Sequence, residues 1–247
     1  MVKTSLNGKV VMVTGAASGL GEAIAHAFVQ EGCKVALLDV HDERLGHAVR
    51  AAEAPEGTVM AMRCDVSKED EVFGAVAKIT EEWGRLDIVV NNAAIDHTMS
   101  IDEMSVAQWD QVVGVNLRGP FLTIKASLPH MREVGGGHIV NIASTAALRQ
   151  WANAAAYHAS KSGLVALGRA FSVEGRPDNI RVTTVLPGGM RTHFFDRFEA
   201  QGIPMPQMEN LQDPAHVADV VVFAVTMPAG SALQEVLVTP PSETSWP

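Results

Sequence analysis

Cysteine is scarce in this 247-residue chain, which contains only Cys33 and Cys64. Two cysteines argue against a disulfide framework and favour a reducing compartment. Residues 1–8 lack the basic flank followed by an apolar stretch that a signal peptide needs. We therefore expect a cytoplasmic protein.

Long apolar runs, basic clusters and metal-ligand spacings are also missing. No uncharged apolar run is long enough to cross a bilayer, so we expect no membrane partner. The net charge is −9, and no Lys/Arg run could hold phosphodiester backbones, so we expect no nucleic acid. The nine histidines show no H-x-x-x-H spacing and neither cysteine lies in a C-x-x-C, so we expect no metal.

Apolar residues make up 47% of the chain, and short β-branched runs alternate with longer amphipathic segments. Strands are predicted at 9–14, 34–39, 58–64, 86–90, 137–142, 180–186 and 235–239. Helices are predicted at 105–133, where Pro120 should kink or restart the helix, at about 154–174, and from Pro214 to about 227. This alternation predicts an α/β fold with a parallel sheet covered on both faces. We expect one doubly wound domain over residues 1–247, with an irregular substrate lid at about 188–213.

A glycine-rich segment from Thr14 to Gly21 (TGAASGLG) follows the first predicted strand and opens a predicted helix. Gly15 permits a tight turn, Gly19 lets the backbone approach a pyrophosphate, and Gly21 allows close packing of helix on strand. The N–H groups of the helix N-terminus would then bind the phosphates. The alternative is a glycine-rich turn that binds nothing, which the strand-turn-helix context disfavours.

Asp39 ends the second predicted strand. A carboxylate there accepts hydrogen bonds from ribose hydroxyls and repels a 2′-phosphate, and residues 40–42 supply no arginine to neutralise one. NAD is therefore favoured over NADP. The alternative for Asp39 is the N-cap of a helix beginning near Asp42. Asp65, after the third strand, is predicted either to accept from the adenine amino group or to cap a helix.

Tyr157, the only tyrosine, and Lys161 are four residues apart on a predicted helix, one turn apart on the same face. A phenol has an ordinary pKa near 10, and a nearby ammonium stabilises its phenolate. Ser144 follows the fifth strand, where its hydroxyl could hold a substrate oxygen beside Tyr157. Taken singly, the alternatives are a half-buried helix tyrosine, a solvated lysine and a turn serine.

The joint pattern resembles the classical short-chain dehydrogenase/reductase family over nearly the whole chain. The family's motifs are similar to Thr14–Gly21, to Asn91-Asn92-Ala93-Ala94 after the fourth strand, to Asn116 in VNLRG, to Ser144, to Tyr157 with Lys161, and to Pro187-Gly188 followed by Thr192. Two features depart from the family. Ala94 replaces a glycine, and the C-terminus, EVLVTPPSETSWP, lacks a final glycine pair.

The resemblance implies a Rossmann domain with a seven-stranded parallel sheet in the order 3-2-1-4-5-6-7. It implies that Tyr157 is the general acid or base, that Lys161 also holds the nicotinamide ribose, that Ser144 orients the substrate and that Asn116 anchors a water. The expected cofactor contacts are Gly15, Ser18, Gly19, Leu20, Gly21, Asp39, Val40, Asp65, Val66, Asn92, Ala93, Ala94, Tyr157, Lys161, Pro187, Gly188, Met190 and Thr192.

The implied function is an NAD-dependent oxidoreductase that interconverts a secondary alcohol and a ketone by hydride transfer. The alternative is an NAD-binding redox sensor or scaffold without turnover, although such proteins typically lose the tyrosine or the lysine. The resemblance also implies a homotetramer, because the family pairs the helices near 105–133 and 154–174 between subunits.

Substrate residues follow from position along the chain. The candidates are His97 after the fourth strand, Leu148 and Trp151 after Ser144, and Phe194, Phe195 and Phe198 in the irregular segment. Three phenylalanines within five positions suit a lid over an apolar ligand, or simply pack the segment onto the domain. We expect a neutral, largely apolar substrate.

Overall fold

Seven parallel strands form one sheet in the computed structural model, which describes residues 4–200 and 202–243, except the side chains of Arg197 and Ala200. The predicted sheet and its order, β3-β2-β1-β4-β5-β6-β7, are confirmed. The strands are β1 (Val10–Thr14), β2 (Lys34–Asp39), β3 (Val59–Arg63), β4 (Ile88–Asn91), β5 (Gly137–Ile142), β6 (Ile180–Pro187) and β7 (Glu235–Val238).

Helices connect the strands and cover both faces of the sheet. They are α1 (Gly19–Gln30), α2 (Asp42–Ala51), α3 (Glu69–Trp83), α4 (Val106–Val113), α5 (Gly119–Glu133), α6 (Ala155–Glu174), α7 (Asp196–Ala200) and α8 (Pro214–Val225). None of the helices in the described ranges combines the length and the apolar character needed to cross a bilayer.

Strand β1 shows why the sheet is buried on both sides. Its side chains alternate between two apolar layers, so that Val11 and Val13 pack with α1 and α8 while Val10 and Met12 pack with α3 and α5. All five residues of β1 are buried. A strand covered on both faces is apolar over most of its length, which is the pattern of residues 10–13 in β1, 35–38 in β2 and 88–90 in β4. In β5 the buried polar residues His138 and Asn141 interrupt this pattern.

The predicted break at Pro120 lies a few residues earlier. Helix α4 ends at Val113, a π-helical turn spans Gly114–Arg118, and α5 begins at Gly119 with Pro120 in its first turn. Proline is tolerated there because the first-turn N–H groups have no intrahelical acceptor. The wide π turn, and not the proline, therefore separates the two helices, and it contains the buried Asn116.

The segment between β6 and α8 is closed at its base. Met190 pairs with Gln212 in a short parallel bridge, and the Arg191 guanidinium donates to the carbonyl of Leu211 and to the Asp213 carboxylate. Two 3₁₀ helices, His193–Phe195 and Met208–Asn210, and the short α7 lie between these contacts. The segment thus leaves the carboxyl end of β6 at Met190 and returns beside it at Gln212.

A buried carboxylate stabilises the amino-terminal edge of the sheet. Asp87 accepts from Lys9 Nζ at 2.9 Å, from the Val10 N–H at 3.0 Å and from two nitrogens of Arg85 at 2.6 and 2.7 Å. Burial alone raises the pKa of the Asp87 carboxyl, but the hydrogen bonds from Arg85, Lys9 and Val10 outweigh it and hold the pKa below its ordinary value.

Replacing this carboxylate should destabilise the fold. We expect Asp87→Asn to lower the free energy of unfolding by about 2–3 kcal/mol at pH 7, because it removes charge-assisted hydrogen bonds at a buried site. Asp178→Asn, at a surface pair with Arg132, should cost under about 1 kcal/mol. Because the folded pKa of Asp87 is lowered, its stabilisation is present above the unfolded carboxyl pKa of about 4 and is lost as the pH falls through the folded value. Urea titrations at pH 7 and pH 3 measure the free energy of unfolding of each variant and its change with pH. Equal losses of unfolding free energy for Asp87→Asn and Asp178→Asn at pH 7 would contradict the prediction.

Candidate functional site

A cleft of about 520 Å³ lies at the carboxyl ends of the strands. The residues that line it follow β1, β2, β3, β4, β5 and β6, and the cleft spans the point where the strand order reverses between β1 and β4. Open α/β sheets bind their ligands at this position.

The glycine-rich turn at the floor of the cleft cannot accept larger residues. Gly15 and Gly19 have φ values of +64° and +58°, which favour glycine. A Cβ on Gly15 would lie 2.8 Å from Ala93 Cα, and one on Gly21 would lie 2.0 Å from the Gly15 oxygen. Ser18 precedes α1 without a side-chain capping bond, so the helix presents first-turn N–H groups toward the cleft. This cradle fits a phosphate group.

Thr14 and Asn92 join the glycine-rich turn to the end of β4. The Asn92 side-chain amide donates to the carbonyls of Thr14 (2.9 Å) and Gly15 (3.1 Å). The Thr14 hydroxyl donates to the carbonyl of Val90 and accepts from the N–H groups of Asn92 and Ala93. The floor of the cleft is therefore one hydrogen-bonded unit.

Asp39 lies at one end of the cleft, and its alternative as a helix cap is wrong. Its carboxylate accepts from the N–H of Ala17 at 3.1 Å and from the N–H of His41 at 3.1 Å, while the N-cap of α2 is His41. The sequence interpretation missed Arg44, which lines the cleft from α2 together with Asp39. No motif marks Arg44, since only the packing of α2 decides which of its residues face the cleft.

Asp65 also lines the cleft. Its Oδ1 accepts from the N–H of Ser67 at 2.9 Å and from the Ser67 hydroxyl at 2.7 Å, which forms a turn before α3. The N-cap of α3 is Lys68, so Asp65 stabilises the turn and does not occupy the cap position itself.

Tyr157 and Lys161 project from the buried face of α6 into the cleft. The Lys161 Nζ lies 5.6 Å from the centroid of the Tyr157 ring and donates to the Ile142 carbonyl at 2.8 Å. The lysine side chain is almost completely buried, at 2% exposure, and burial lowers the pKa of Lys161 to about 7. The alternative of a solvated surface lysine is therefore wrong.

Ser144 follows β5 and lines the same cleft, so the structure brings Ser144, Tyr157 and Lys161 together. The Ser144 hydroxyl accepts from the Ala146 N–H at 3.1 Å, as a turn serine does, and it faces the cleft as well. Asn116 lies beneath the cleft. Its amide accepts from the Ile95 N–H and donates to the Ile95 carbonyl and the Ser160 hydroxyl, which links the chain after β4 to α6.

The remaining predicted residues divide into two groups. The cleft is lined by all the predicted cofactor residues except Gly21, and by three of the predicted substrate residues, Trp151, Phe194 and Phe195. His97, Leu148 and Phe198 lie outside that lining: His97 Nε2 bonds Gln111 at 2.9 Å, and Phe198 packs edge-on against Phe195. Gln111, which the sequence interpretation missed, lines the cleft instead.

The C-terminal segment reaches the Pro187-Gly188 turn. A Glu243 carboxylate oxygen accepts from the Gly189 N–H at 3.2 Å and lies where a side chain on Gly188 would project. No pattern in the sequence indicates this contact, because 54 residues separate its partners. Residues 244–247, the end of the segment that departs from the family pattern, lie outside the described residues.

Comparison with known proteins identifies the family. The family model for short chain dehydrogenases matches residues 9–202. The 2,5-dichloro-2,5-cyclohexadiene-1,4-diol dehydrogenase LinX of Sphingobium indicum is 34% identical, over 88% of this chain and 89% of its own. The 3-oxoacyl-[acyl-carrier-protein] reductase FabG of Thermotoga maritima is 33% identical, over 88% and 90%.

A solved structure agrees with these sequence matches. The crystal structure of a metagenomic short-chain oxidoreductase in complex with NADP has a TM-score of 0.83 and 33% identity, and the match covers 96% of this chain and 99% of that one. The family model covers residues 9–202, the two relatives cover 88% of the chain, and the solved structure covers 96% of it. The chain therefore belongs to the short-chain dehydrogenase/reductase family of oxidoreductases.

Proposed function

We propose that this protein is an NAD-dependent oxidoreductase that interconverts a secondary alcohol and a ketone, with Tyr157 as the general acid and base. The observation that carries the proposal is the meeting of Ser144, Tyr157 and Lys161 in one cleft with a glycine cradle for phosphate. A hydroxyl, a phenol and a buried amine in this arrangement are suited to moving a proton at a substrate oxygen.

The residues of the cleft fit a nicotinamide dinucleotide. Gly15 to Leu20 would hold the pyrophosphate at the N-terminus of α1, and Asp39 the adenosine ribose. Asp65, Val66 and residues 92–94 would lie along the adenine and the linking riboses, and Pro187, Gly188, Met190 and Thr192 at the nicotinamide end. When bound, the nicotinamide ring supplies the acceptor or donor of the hydride that leaves or reaches the carbinol carbon.

The side chains of this protein would then handle the proton. Ser144 orients the alcohol oxygen, and the Tyr157 phenolate takes its proton as the carbonyl forms. Lys161, one turn away, stabilises the phenolate with its ammonium group and binds the nicotinamide ribose. The side-chain amide of Asn116 is buried and already bonded to Ile95 and Ser160. A water bound at Asn116 would therefore have to donate to the main-chain carbonyl of this residue in the π turn.

A non-catalytic NAD sensor or scaffold is the alternative function. It would bind the dinucleotide in the same cleft and oxidise no alcohol. The burial of Lys161 against Tyr157 favours the enzyme, since a buried amine without a catalytic role carries a desolvation penalty that an apolar side chain would avoid.

The NAD preference rests on Asp39. Its carboxylate would accept from the ribose hydroxyls and repel a 2′-phosphate. Arg44 lines the same end of the cleft, and the metagenomic neighbour was solved with NADP. We propose that the fixed carboxylate, held by Ala17 and His41, outweighs the exposed guanidinium.

The assembly proposed for this chain is a homotetramer of single-domain subunits. Large apolar side chains lie exposed on α4 (Val106 and Trp109), on α5 (Phe121) and on α6 (Val173). Pairing of these helices between subunits would remove the exposed apolar surface from water. The segment 188–213 would serve as the substrate lid of each subunit.

Loss of the Lys161 ammonium should raise the pH at which the protein works. In oxidation of a panel of secondary alcohols, followed by NADH absorbance, wild-type kcat should rise with pH through the apparent pKa of the Tyr157–Lys161 pair, because the phenolate is the active form. We expect Lys161→Met to lose at least about 100-fold in kcat at pH 7 and to recover only toward the ordinary phenol pKa of about 10. Lys161→Arg, which keeps the charge, is the control. NAD binding without turnover in the wild type would establish the sensor, and an unshifted profile in Lys161→Met would contradict the role of the ammonium.

Removing the Asp39 carboxylate should relax cofactor choice. We expect Asp39→Ala to lower kcat/KM for NAD by roughly 10–100-fold, the loss of a charge-assisted hydrogen bond, and to raise kcat/KM for NADP. The gain with NADP should depend on Arg44 and disappear in Asp39→Ala/Arg44→Ala. Wild-type preference for NADPH over NADH would show the ribose assignment to be wrong.

A further inference from the structure

Aromatic rings from two separate elements line the part of the cleft next to Ser144 and Tyr157. Trp151 follows the 3₁₀ helix Thr145–Ala147, and Phe194 belongs to the 3₁₀ helix His193–Phe195 after β6. Different contacts fix the positions of these two aromatic walls of the cleft.

The Phe194 wall is attached to the proposed catalytic phenol. The Phe194 and Tyr157 ring centroids lie 5.6 Å apart at an interplanar angle of 48°, and both rings pack with Ala146 and Ala154. Phe195 stands edge-on to Phe194 at 5.6 Å and 87°. Aromatic pairs prefer such tilted and edge-on geometries. The position of Phe194 is therefore coupled to that of the Tyr157 ring.

The Trp151 wall is attached to His158, the residue after Tyr157. His158 Nδ1 lies 2.8 Å from the Ala146 carbonyl, which can only accept, so the neutral ring carries its proton on Nδ1. Nε2 of His158 then accepts from the main-chain N–H of Trp151 at 3.1 Å. The indole stands edge-on to the imidazole at 4.3 Å and 73°. A buried histidine thus fixes both the main chain and the ring of Trp151.

The fixed indole is nonetheless open to the cleft. Trp151 is 47% exposed although it lines the cleft, whereas the comparably exposed Leu148 of the same loop does not line it. An anchored aromatic ring loses little conformational entropy when a ligand stacks on it. Its open surface is apolar and suits another ring.

The charges around the two walls point to a neutral ligand. Among the described residues that line the cleft, the lysine and arginine side chains are Lys161 and Arg44. Lys161 donates to Ile142 beneath Tyr157, and Arg44 lies with Asp39 at the adenosine end. Arg191, next to the aromatic segment, bonds Leu211 and Asp213. His193, which lines the cleft next to Phe194, already pairs with the Asp196 carboxylate at 2.9 Å. A carboxylate or phosphate on the substrate would therefore meet no unpaired cation from these residues beside Trp151 and Phe194.

We propose that Trp151 and Phe194 form a ring-binding subsite, and that the substrate is a neutral secondary alcohol whose carbinol carbon lies in or next to an alicyclic or aromatic ring. This inference rests on the proposed dehydrogenase function and names its substrate class. His158 is the positioning residue that holds the Trp151 wall against the Tyr157 helix.

Matched pairs of alcohols test the subsite. The pairs are cyclohexanol with hexan-3-ol and 1-phenylethanol with octan-2-ol, which have equal carbon counts but differ in the ring. For Trp151→Ala we expect KM for the ring alcohols to rise at least about 10-fold with kcat within about twofold, while KM for the open-chain alcohols and for NAD stays within about twofold. Trp151→Phe should restore most of the ring preference, and Leu148→Ala, from the same loop but outside the cleft lining, should leave every KM unchanged.

A binding measurement separates failure of the subsite from failure of the function. Calorimetric titration of acetophenone into the protein with NAD involves no turnover, because the oxidised cofactor cannot reduce a ketone, and Trp151→Ala should weaken this binding at least about 10-fold. If no alcohol is oxidised but this loss is seen, the enzyme proposal fails and the ring subsite stands. Two results would overturn the subsite: an equal rise in KM for ring and open-chain alcohols in Trp151→Ala, or no binding of acetophenone to the wild type. The turnover assay would then decide the dehydrogenase assignment by itself.

Discussion

The hydrogen bonds that join Thr14 and Gly15 to Asn92 and Ala93 are the constraint on which the rest of the cleft depends. Strands β1 and β4 are neighbours, and their chains diverge at their carboxyl ends, where a gap must open. The Asn92 amide and the Thr14 hydroxyl satisfy the main-chain groups on both sides of that gap. This fixes the glycine-rich turn against the chain after β4. The absence of a Cβ at Gly15 and Gly21 is what lets the two segments come so close.

A buried amine gives the cleft its proposed chemistry. Lys161 is held under the cleft by the Ile142 carbonyl, and its neighbour on the helix is the Tyr157 ring. Burial lowers the pKa of Lys161 to about 7, and a Tyr157 phenolate beside it would raise that pKa again, because a neighbouring anion favours the ammonium form. Tyr157 in turn contacts Phe194, and His158 holds Trp151. One turn of α6 thus connects the proposed proton-transferring group to both walls of the proposed substrate subsite.

The strands β1, β2 and β4 were predictable because their central residues are apolar on both faces, and the cleft was predictable because many of its residues follow strand ends. Features that depend on how distant segments pack against one another could not be predicted from the sequence. Arg44 faces the cleft only through the packing of α2, and Glu243 reaches Gly189 from 54 residues away. Pro120 was expected to break the helix, but the π turn before it does so, because proline fits the first turn of α5. His97 and Leu148 follow the correct strands, yet they lie outside the cleft lining.

We propose that Lys161 and a bound nicotinamide cofactor together make Tyr157 a usable base. Because Tyr157 is the only tyrosine, an ultraviolet difference titration of the protein with NAD reports the ionisation of this one phenol. We expect a titration midpoint at least about one pH unit below the ordinary phenol value of about 10. A midpoint at or above that value with NAD bound would contradict it.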